Sequence, residues 1–385
     1  MNPLLIEDTF IQICYHIVSA KLLVSIESVS KWHKRIIRKN KWYHLYIRIK
    51  NDESVISMLE THNFGNLNLG NTKVTDKSVS KLVNIHTLDI SRTKVTDVSV
   101  SKLVNVHTLN LSHTKVTDNS VKKLVKVHTI NLNCTDVTDK GVIKLVKVHT
   151  LDLTNTRITD ESVTKLVNVH VINLNNTEVT DKSVSKLINA HTLDLSCTKV
   201  TNKGIMELVN VHTLDLRFME VTDKSISKLT NVHILNLSYT KGVTGKSISK
   251  LVNVHTLDLS GTGIIDDDIP KLFNVHTLIL RRTSITDKCV YKLINVHTLD
   301  LSCTKVTDVG VTKLVNAHTL NLDDTEITDK SISKLKKVHT IHLCSTKVTD
   351  KGISKLNNVR ILYIWNTCIT KKCIKKLRSN GCTVY

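Results

Sequence analysis

The chain has 385 residues, and 54 Lys plus Arg against 34 Asp plus Glu give it a formal charge of +20. Its apolar content is aliphatic, with aromatics at 4%, two prolines (Pro3, Pro270) and eleven glycines, which excludes collagen-like and Pro/Gly-rich disordered chains. No apolar run reaches the roughly 18–20 residues of a membrane helix, and the stretch from Phe10 to Ile26 is broken by His16 and Lys21 with no small-residue cleavage site, so no secretory signal is expected.

Residues 1–50 stand apart from the rest. Leu4-Leu5-Ile6, Phe10-Ile11-Ile13, Ile17, Leu22-Leu23-Ile26-Val29 and Ile36-Ile37 predict three short amphipathic helices. The segment also holds two of the three tryptophans, in Val29-Ser30-Lys31-Trp32 and Trp42-Tyr43-His44-Leu45. Its plainest role is a cap on the first open edge of a repetitive stack formed by the remainder of the chain.

From about residue 62 the chain repeats itself. Val-His-Thr-Leu-Asp-Leu-Ser-x-Thr-Lys-Val-Thr-Asp recurs in register, with histidines at 86, 107, 128, 149, 170, 191, 212, 233, 255, 276, 297, 318 and 339. The period is 21, stretched once to 22 between His233 and His255, and the paired leucines from Leu67/Leu69 to Leu362/Ile364 count fifteen units. In the unit Val106 to Val125, the alternation of Leu109 and Leu111 predicts a short strand with both leucines on one side. Val121, Leu124 and Val125 at i, i+3, i+4 predict one face of a short helix. Asp118 is placed to cap that helix, and the Asn at the helix end (Asn84, Asn105, Asn168, Asn253) suits a left-handed conformation there. About seven inward residues per unit, each worth roughly 1.5–3 kcal/mol when buried, cannot offset a backbone ordering cost of roughly 1–2 kcal/mol for every residue. A unit therefore folds only against its neighbours, with strands paired in one parallel sheet.

These motifs resemble the leucine-rich repeat family over five-sixths of the chain. The departure is Thr, from Thr72 to Thr367 with Met219 as the exception, where the family carries a buried Asn or Cys; a threonine ladder bonding the turn backbone is expected. The adjoining Val-Thr-Asp resembles the repeats of F-box proteins, and the N-terminal motifs resemble a degenerate F-box. Pro3-Leu4-Leu5 is similar to its start and Leu22-Leu23 to its centre, while Trp32 and Trp42 sit in its two tryptophan motifs. One residue is missing before Trp32, and Lys21 stands for the usual Asp. The resemblance implies an α/β leucine-rich repeat solenoid over 51–385, a curved parallel sheet on its concave face and short helices on its convex face. An all-α F-box-like domain would occupy 1–50. It implies an adaptor for an SCF-type ubiquitin ligase, docking to the linker subunit through Leu4, Leu5, Leu22, Leu23, Val29, Trp32 and Trp42. The alternative is a binding scaffold without a ligase link.

Lys precedes the helix leucine in every unit except that of Glu207, a basic row on the helix side, while Asp89, Asp152, Asp194, Asp215, Asp258 and Asp300 make the strand side mildly acidic. The strand side lacks the aromatic platforms of single-strand binders, so nucleic acid is disfavoured. One identical His per unit, with no thiolate or carboxylate completing a set, reads as a stacked structural row, and no metal or cofactor is expected. No phosphate loop or nucleophile motif appears, and the chain reads as no enzyme. Nine cysteines without a CxxC pair suit a reducing setting, cytoplasmic or nuclear. The Lys/Asn/Ile-rich vocabulary resembles repeat proteins of AT-rich genomes such as giant viruses and some protists. Comparing units with one another singles out Arg217, Phe218, Met219, Tyr239, Ile279, Arg281, Arg282, Tyr363 and Trp365 as candidate substrate contacts, since aromatic and Arg residues anchor interfaces. For Tyr363 and Trp365, capping the last repeat is the competing role. Gly242, Gly245 and Asn202 depart from the repeat in the same middle stretch.

Overall fold

The computed structural model describes Phe10, Ile11, Cys14 and residues 25–385 apart from 270–273. It falls into two compact units, Met1–Ala190 and His191–Tyr385.

In the first unit, helix α1 (Lys31–Lys39) starts at Ser30, whose side chain accepts from the amide of His33. Strand β1 (Lys41–Arg48), helix α2 (Asp52–Thr61) and strand β2 (Asn63–Asn68) come next. β1 pairs in parallel with β2, so residues 41–48 are strand where the sequence predicted the end of a helical domain. The physical reason is local: Trp42, Tyr43, Tyr46 and Ile47 form a β-favouring run, and it covers the edge that β2 would otherwise expose. Together β1 and α2 make one further coil that the 21-residue period does not reveal.

The repeats continue as three-residue strands, from Thr87–Asp89 to Val171–Asn173 in this unit, each succeeded by a four-residue helix such as Asp97–Val100. Pairing is parallel and in register: Leu88 faces Leu109, and Ile130 faces Leu151. The second unit repeats the pattern from Thr192–Asp194 to Ile361–Tyr363 and ends in a longer helix, Lys371–Ser379, and a last strand, Thr383–Val384, paired with Ile361–Tyr363. Among the described residues the two apolar strand side chains of each coil are buried, and so, outside the last coil, are the Val or Ile before the threonine–aspartate pair and the helix leucine. Val121 and Leu124 are core, but Val125 is 45% exposed, so the i+4 position leaves the predicted face because a four-residue helix turns too little to bring it inward.

Two rows of side-chain hydrogen bonds run along the stack, one within coils and one between them. The threonine ladder is present in fourteen coils, each hydroxyl donating to the carbonyl three residues back, as Thr114 does to Leu111 at 2.5 Å and Thr283 to Leu280 at 2.6 Å. The aspartates form the second, and here the sequence expectation is corrected. The helix cap is Thr117, which accepts from the amide of Asn119, while Asp118 is the first helical residue and reaches into the next coil. Its carboxylate accepts from the Thr138 amide at 2.8 Å, the Thr138 hydroxyl at 2.6 Å and the Gly141 amide at 3.0 Å. Asp52 in α2 supplies the first rung, to Thr75 and Ser78. Burial alone would raise the carboxyls of Asp76, Asp97 and Asp308, but hydrogen bonds from Ser and Thr outweigh it and hold them below the usual range. The Asn at each helix end is likewise reassigned. None adopts a positive φ; Asn168 and Asn253 instead donate to carbonyls of the preceding coil, Val146 and Thr230, at 3.3 and 2.8 Å.

Candidate functional site

The left-handed residues lie elsewhere, in the turn after each strand. In every coil the residue before the threonine position has φ between 52° and 62°, from Asn71 through Gly261 to Asn366. In twelve of the fifteen coils an Asx turn supports this: the Asn or Asp between the strand leucines accepts from the amide two residues on, as Asn110 does from Ser112 at 3.1 Å and Asp258 from Ser260 at 2.8 Å, whereas Ile279, His342 and Tyr363 hold the same place in coils whose turns keep the left-handed residue. Asn, Asp and Gly suit such a position, whereas a bulky side chain costs roughly 1–2 kcal/mol there. Phe218, Tyr239 and Arg282 nevertheless occupy it, at φ of 59°, 57° and 54°. Asn at four of the fifteen positions (Asn71, Asn155, Asn176 and Asn366) was the signal in the sequence that could have located the turn.

These three, with Gly261 between Tyr239 and Arg282, fill four successive turns of the second unit. The Phe218 and Tyr239 rings stack at 4.9 Å and 6°. Gly261 is needed twice over: its φ is +62°, and a Cβ there would stand 2.5 Å from the Tyr239 ring. The Arg282 guanidinium lies beside the Tyr239 hydroxyl and the Cys303 thiol, which favour its charged form. Phe218 is 59% exposed, and Tyr239, Arg281 and Arg282 are exposed.

On the adjoining strand positions stand Asp194, Asp215, Asp258, Ile279 and Asp300. Burial raises the Asp194 carboxyl above its usual range, with hydrogen bonds from Ser196 opposing and the charge of Asp215 adding to the rise. Arg217 compensates this crowding: its Nε lies 2.8 Å from Asp215 Oδ2, and its Nη2 3.8 Å from Asp194 Oδ2. Burial would weaken that guanidinium's charge, but the carboxylates of Asp215, Asp194 and Asp258 hold it firmly protonated.

The other sequence candidates separate. Met219 is buried and fills the threonine position from inside, so it is core and no surface contact. Ile279 is half-buried in the strand row. Tyr363 stacks between His342 at 4.0 Å and Tyr385 at 4.8 Å, as a terminal cap would, whereas Trp365 is 75% exposed and covers nothing there. At the other end Leu4, Leu5, Leu22 and Leu23 lie outside the described residues. Val29 is exposed, and Trp32 is half-buried against Phe10, centroids 5.1 Å apart. Trp42 is fully buried, with its indole N–H donating to the Ile37 carbonyl at 2.8 Å, so its burial serves the fold and leaves no surface for docking.

The histidines form stacked rows, 4.7 Å between His86, His107 and His128 and 4.3 Å between His276 and His297. Within each unit the histidine backbones are tied in series, His107 donating to the His86 carbonyl and His233 to the His212 carbonyl at 2.9 and 2.8 Å. Among the described residues no group of His, Cys, Asp or Glu could hold a metal ion. Burial, then the neighbouring His318, His276 and His339, push His297 below the usual imidazole value.

The leucine-rich repeat family model matches residues 102–125, 126–146, 147–167, 191–209 and 292–315, and the observed coils, each a short parallel strand followed by a short helix, are similar to leucine-rich repeats. No curated protein matches at a significant level. Among solved structures, a leucine-rich repeat protein of Leptospira interrogans is 22% identical with a TM-score of 0.59, over 84% of this chain and 90% of its own. An internalin of Listeria monocytogenes is 17% identical with a TM-score of 0.50, over 80% and 88%. The leucine-rich repeat ectodomain of an Arabidopsis thaliana receptor kinase, solved in complex with Casparian strip integrity factor 2, is 16% identical with a TM-score of 0.50, over 92% of this chain and 54% of that one. At these identities the likeness is one of fold. No helix among the described residues is long and apolar enough to cross a membrane.

Proposed function

We propose that this chain is a non-enzymatic recognition adaptor that holds a partner protein across the turn edge of its second unit, at Arg217, Phe218, Tyr239, Arg281 and Arg282. The observation that carries the reading is the exposed Phe218–Tyr239 stack in left-handed turns. Phe218 and Tyr239 are the two Phe/Tyr rings in a column that elsewhere holds Asn, Asp, Ser, Gly, Cys, Arg92, His113 and Arg282, and rings kept at positions that disfavour bulk mark strain retained for use. Leucine-rich repeat folds serve as scaffolds for such contacts, and one structural neighbour was solved with a ligand on its ectodomain.

The test is a photo-crosslinking residue placed at Tyr239, and at Val125 as a control, in the full chain within its native cell. A partner captured at 239 alone, and lost when Phe218→Ala is added, is the expected result. Equal capture from both positions would sink the reading.

The N-terminal segment supplies the second half of an adaptor, a docking site for the linker subunit of an SCF-type ligase. The order of its motifs and the exposure of Val29 support this. Because Trp42 is spent on the fold, that docking would rest on Leu22, Leu23, Val29 and Trp32. Full-length protein should retain the linker subunit in a pull-down, and Leu22→Asp with Leu23→Asp should release it. No retention by the unmodified chain leaves a scaffold without a ligase link.

A further inference from the structure

Arg217 and Arg281 occupy the same register, two residues after the last residue of a strand, Asp215 and Ile279, and the chain has thereby built its own control. Arg217 has Asp215 two residues before it, and the pair closes at 2.8–2.9 Å. At the equivalent place before Arg281 stands Ile279. The near carboxylate is gone, and Arg281 makes no ion pair among the described residues. The flanking carboxylates do not replace it, being engaged in their own turns. Asp258 Oδ1 accepts from the Ser260 amide and hydroxyl, while Asp300 accepts from the Ser302 amide at 2.8 Å and the Asn321 side chain at 3.0 Å. Arg282 stands exposed next to it, beside the Tyr239 hydroxyl. The substitution at one strand position therefore converts a neutralised arginine into an open one, adjacent to a second arginine and at the end of the aromatic stack.

We infer that Arg281 and Arg282 anchor an acidic side chain, carboxylate or phosphate, of an extended protein segment that lies across the Phe218 and Tyr239 rings. Guanidinium pairs read such groups with two directed hydrogen bonds, which a solvated lysine does not match. Three strand spacings of about 4.8 Å separate the Phe218 turn from the Arg282 turn, or roughly 14 Å, a span of about four extended residues. The acidic residue thus sits about four positions from the side chain resting on Phe218. This rests on the turn edge being the binding face.

The experiment uses the full chain and three fluorescein-labelled octapeptides sharing one tyrosine and, four residues from it, Glu, phosphoserine or Lys. Fluorescence anisotropy should show the Glu and phosphoserine peptides binding at least tenfold more tightly than the Lys peptide, and the tighter of the two identifies carboxylate or phosphate as the natural group. Ile279→Asp restores the repeat's own residue and recaptures Arg281, so it should weaken the acidic peptides about tenfold and leave the Lys peptide and the thermal midpoint unchanged. Arg281→Ala should do the same. Equal affinities for Glu and Lys, no binding of any peptide, or indifference of the acidic peptides to both variants overturns the inference. If Phe218→Ala weakens every peptide while the arginine variants change nothing, the binding face stands and the acidic anchor fails; if Phe218→Ala also changes nothing, both fail.

Discussion

Replacing Asp97 by alanine should be among the most damaging single changes on the surface of the first unit. Its carboxylate accepts from the Thr117 amide at 2.9 Å, the Thr117 hydroxyl at 2.5 Å and the Ser120 hydroxyl at 2.5 Å, so it fastens one coil to the next. A hydrogen bond to a charged group contributes about 1.5–3 kcal/mol, and an orphaned buried donor costs more than a missing contact. Three bonds sharing one carboxylate are not independent, which places Asp97→Ala at about 3–5 kcal/mol. Thr117→Val removes one of those bonds and the helix cap to Asn119, worth about 1–2 kcal/mol. The double variant should cost less than the sum by about 1–2 kcal/mol, because the valine no longer needs the carboxylate. The molecule contains a precedent, since Gly245 replaces the aspartate and Ile265 replaces the threonine of the following coil, so acceptor and donor disappear together. Urea unfolding of the full chain, with hydrogen exchange at the Thr117 amide, measures all three variants. Costs that add to within about 0.5 kcal/mol would show that the ladder is not a linked device.

Other outcomes stem from the same geometry. Thr114→Val should destabilise by about 1–3 kcal/mol, measured by urea midpoint, because the Leu111 carbonyl is left without its donor. Trp42→Ala should cost about 3–5 kcal/mol as a large buried side chain does, and a change confined to partner binding, with the urea midpoint intact, would contradict its place in the core. Phe218→Gly should leave stability within about 1 kcal/mol, since relief of the left-handed turn and loss of ring stacking nearly cancel; partner capture should fall. Acid should act in two stages. His297 is depressed below its unfolded value, so the unfolded chain binds its proton first and stability begins to fall as the pH drops through about 6.5. The ladder aspartates, Asp76, Asp97 and Asp308 among them, are also depressed, and their contribution is lost only as the pH falls below about 4. Circular dichroism against pH should show both stages, and His297→Gln should soften the first alone.

The repeat, the strands, the buried leucines and the threonine ladder were legible because each arises from a short period and a single side chain. Coil 41–61 was not, because a sequence without the consensus reveals its strand only through pairing with β2. The aspartate and the asparagine were misassigned for a common reason. Both are polar residues at helix ends, where local rules predict local bonds, yet both bond to the neighbouring coil 20–22 residues away. Stacking satisfies these groups, and no single unit can show it. The candidate residues drawn from the internal consensus fall in different places in the structure. Departure from the internal consensus singled out Phe218, Tyr239, Arg281 and Arg282, which are exposed, but it could not separate them from Met219, whose side chain turns inward to fill the threonine's place.

That the middle stretch was rebuilt rather than merely eroded is argued by how its irregularities fit one another. Erosion removes one partner of an interaction and leaves the other stranded. Here Asn202 keeps one oxygen, and that oxygen still receives the Thr222 amide at 2.9 Å and the Ser225 hydroxyl at 2.6 Å. The inserted Gly242 takes φ +82° and returns its carbonyl to the Asp223 amide at 3.2 Å. Gly245 loses its carboxylate just where Ile265 has no hydroxyl to offer, and its own amide is met instead by Asp268 at 2.9 Å. Gly261 stands where a side chain would strike Tyr239. Among the described residues, no buried polar side-chain atom between 202 and 268 is left without a partner. Four irregularities, each answered by a neighbour, surround the turns where Phe218 and Tyr239 hold their rings outward. Mutual adjustment of that kind preserves the stack of coils while freeing its edge to differ, as a recognition surface on a duplicated scaffold must.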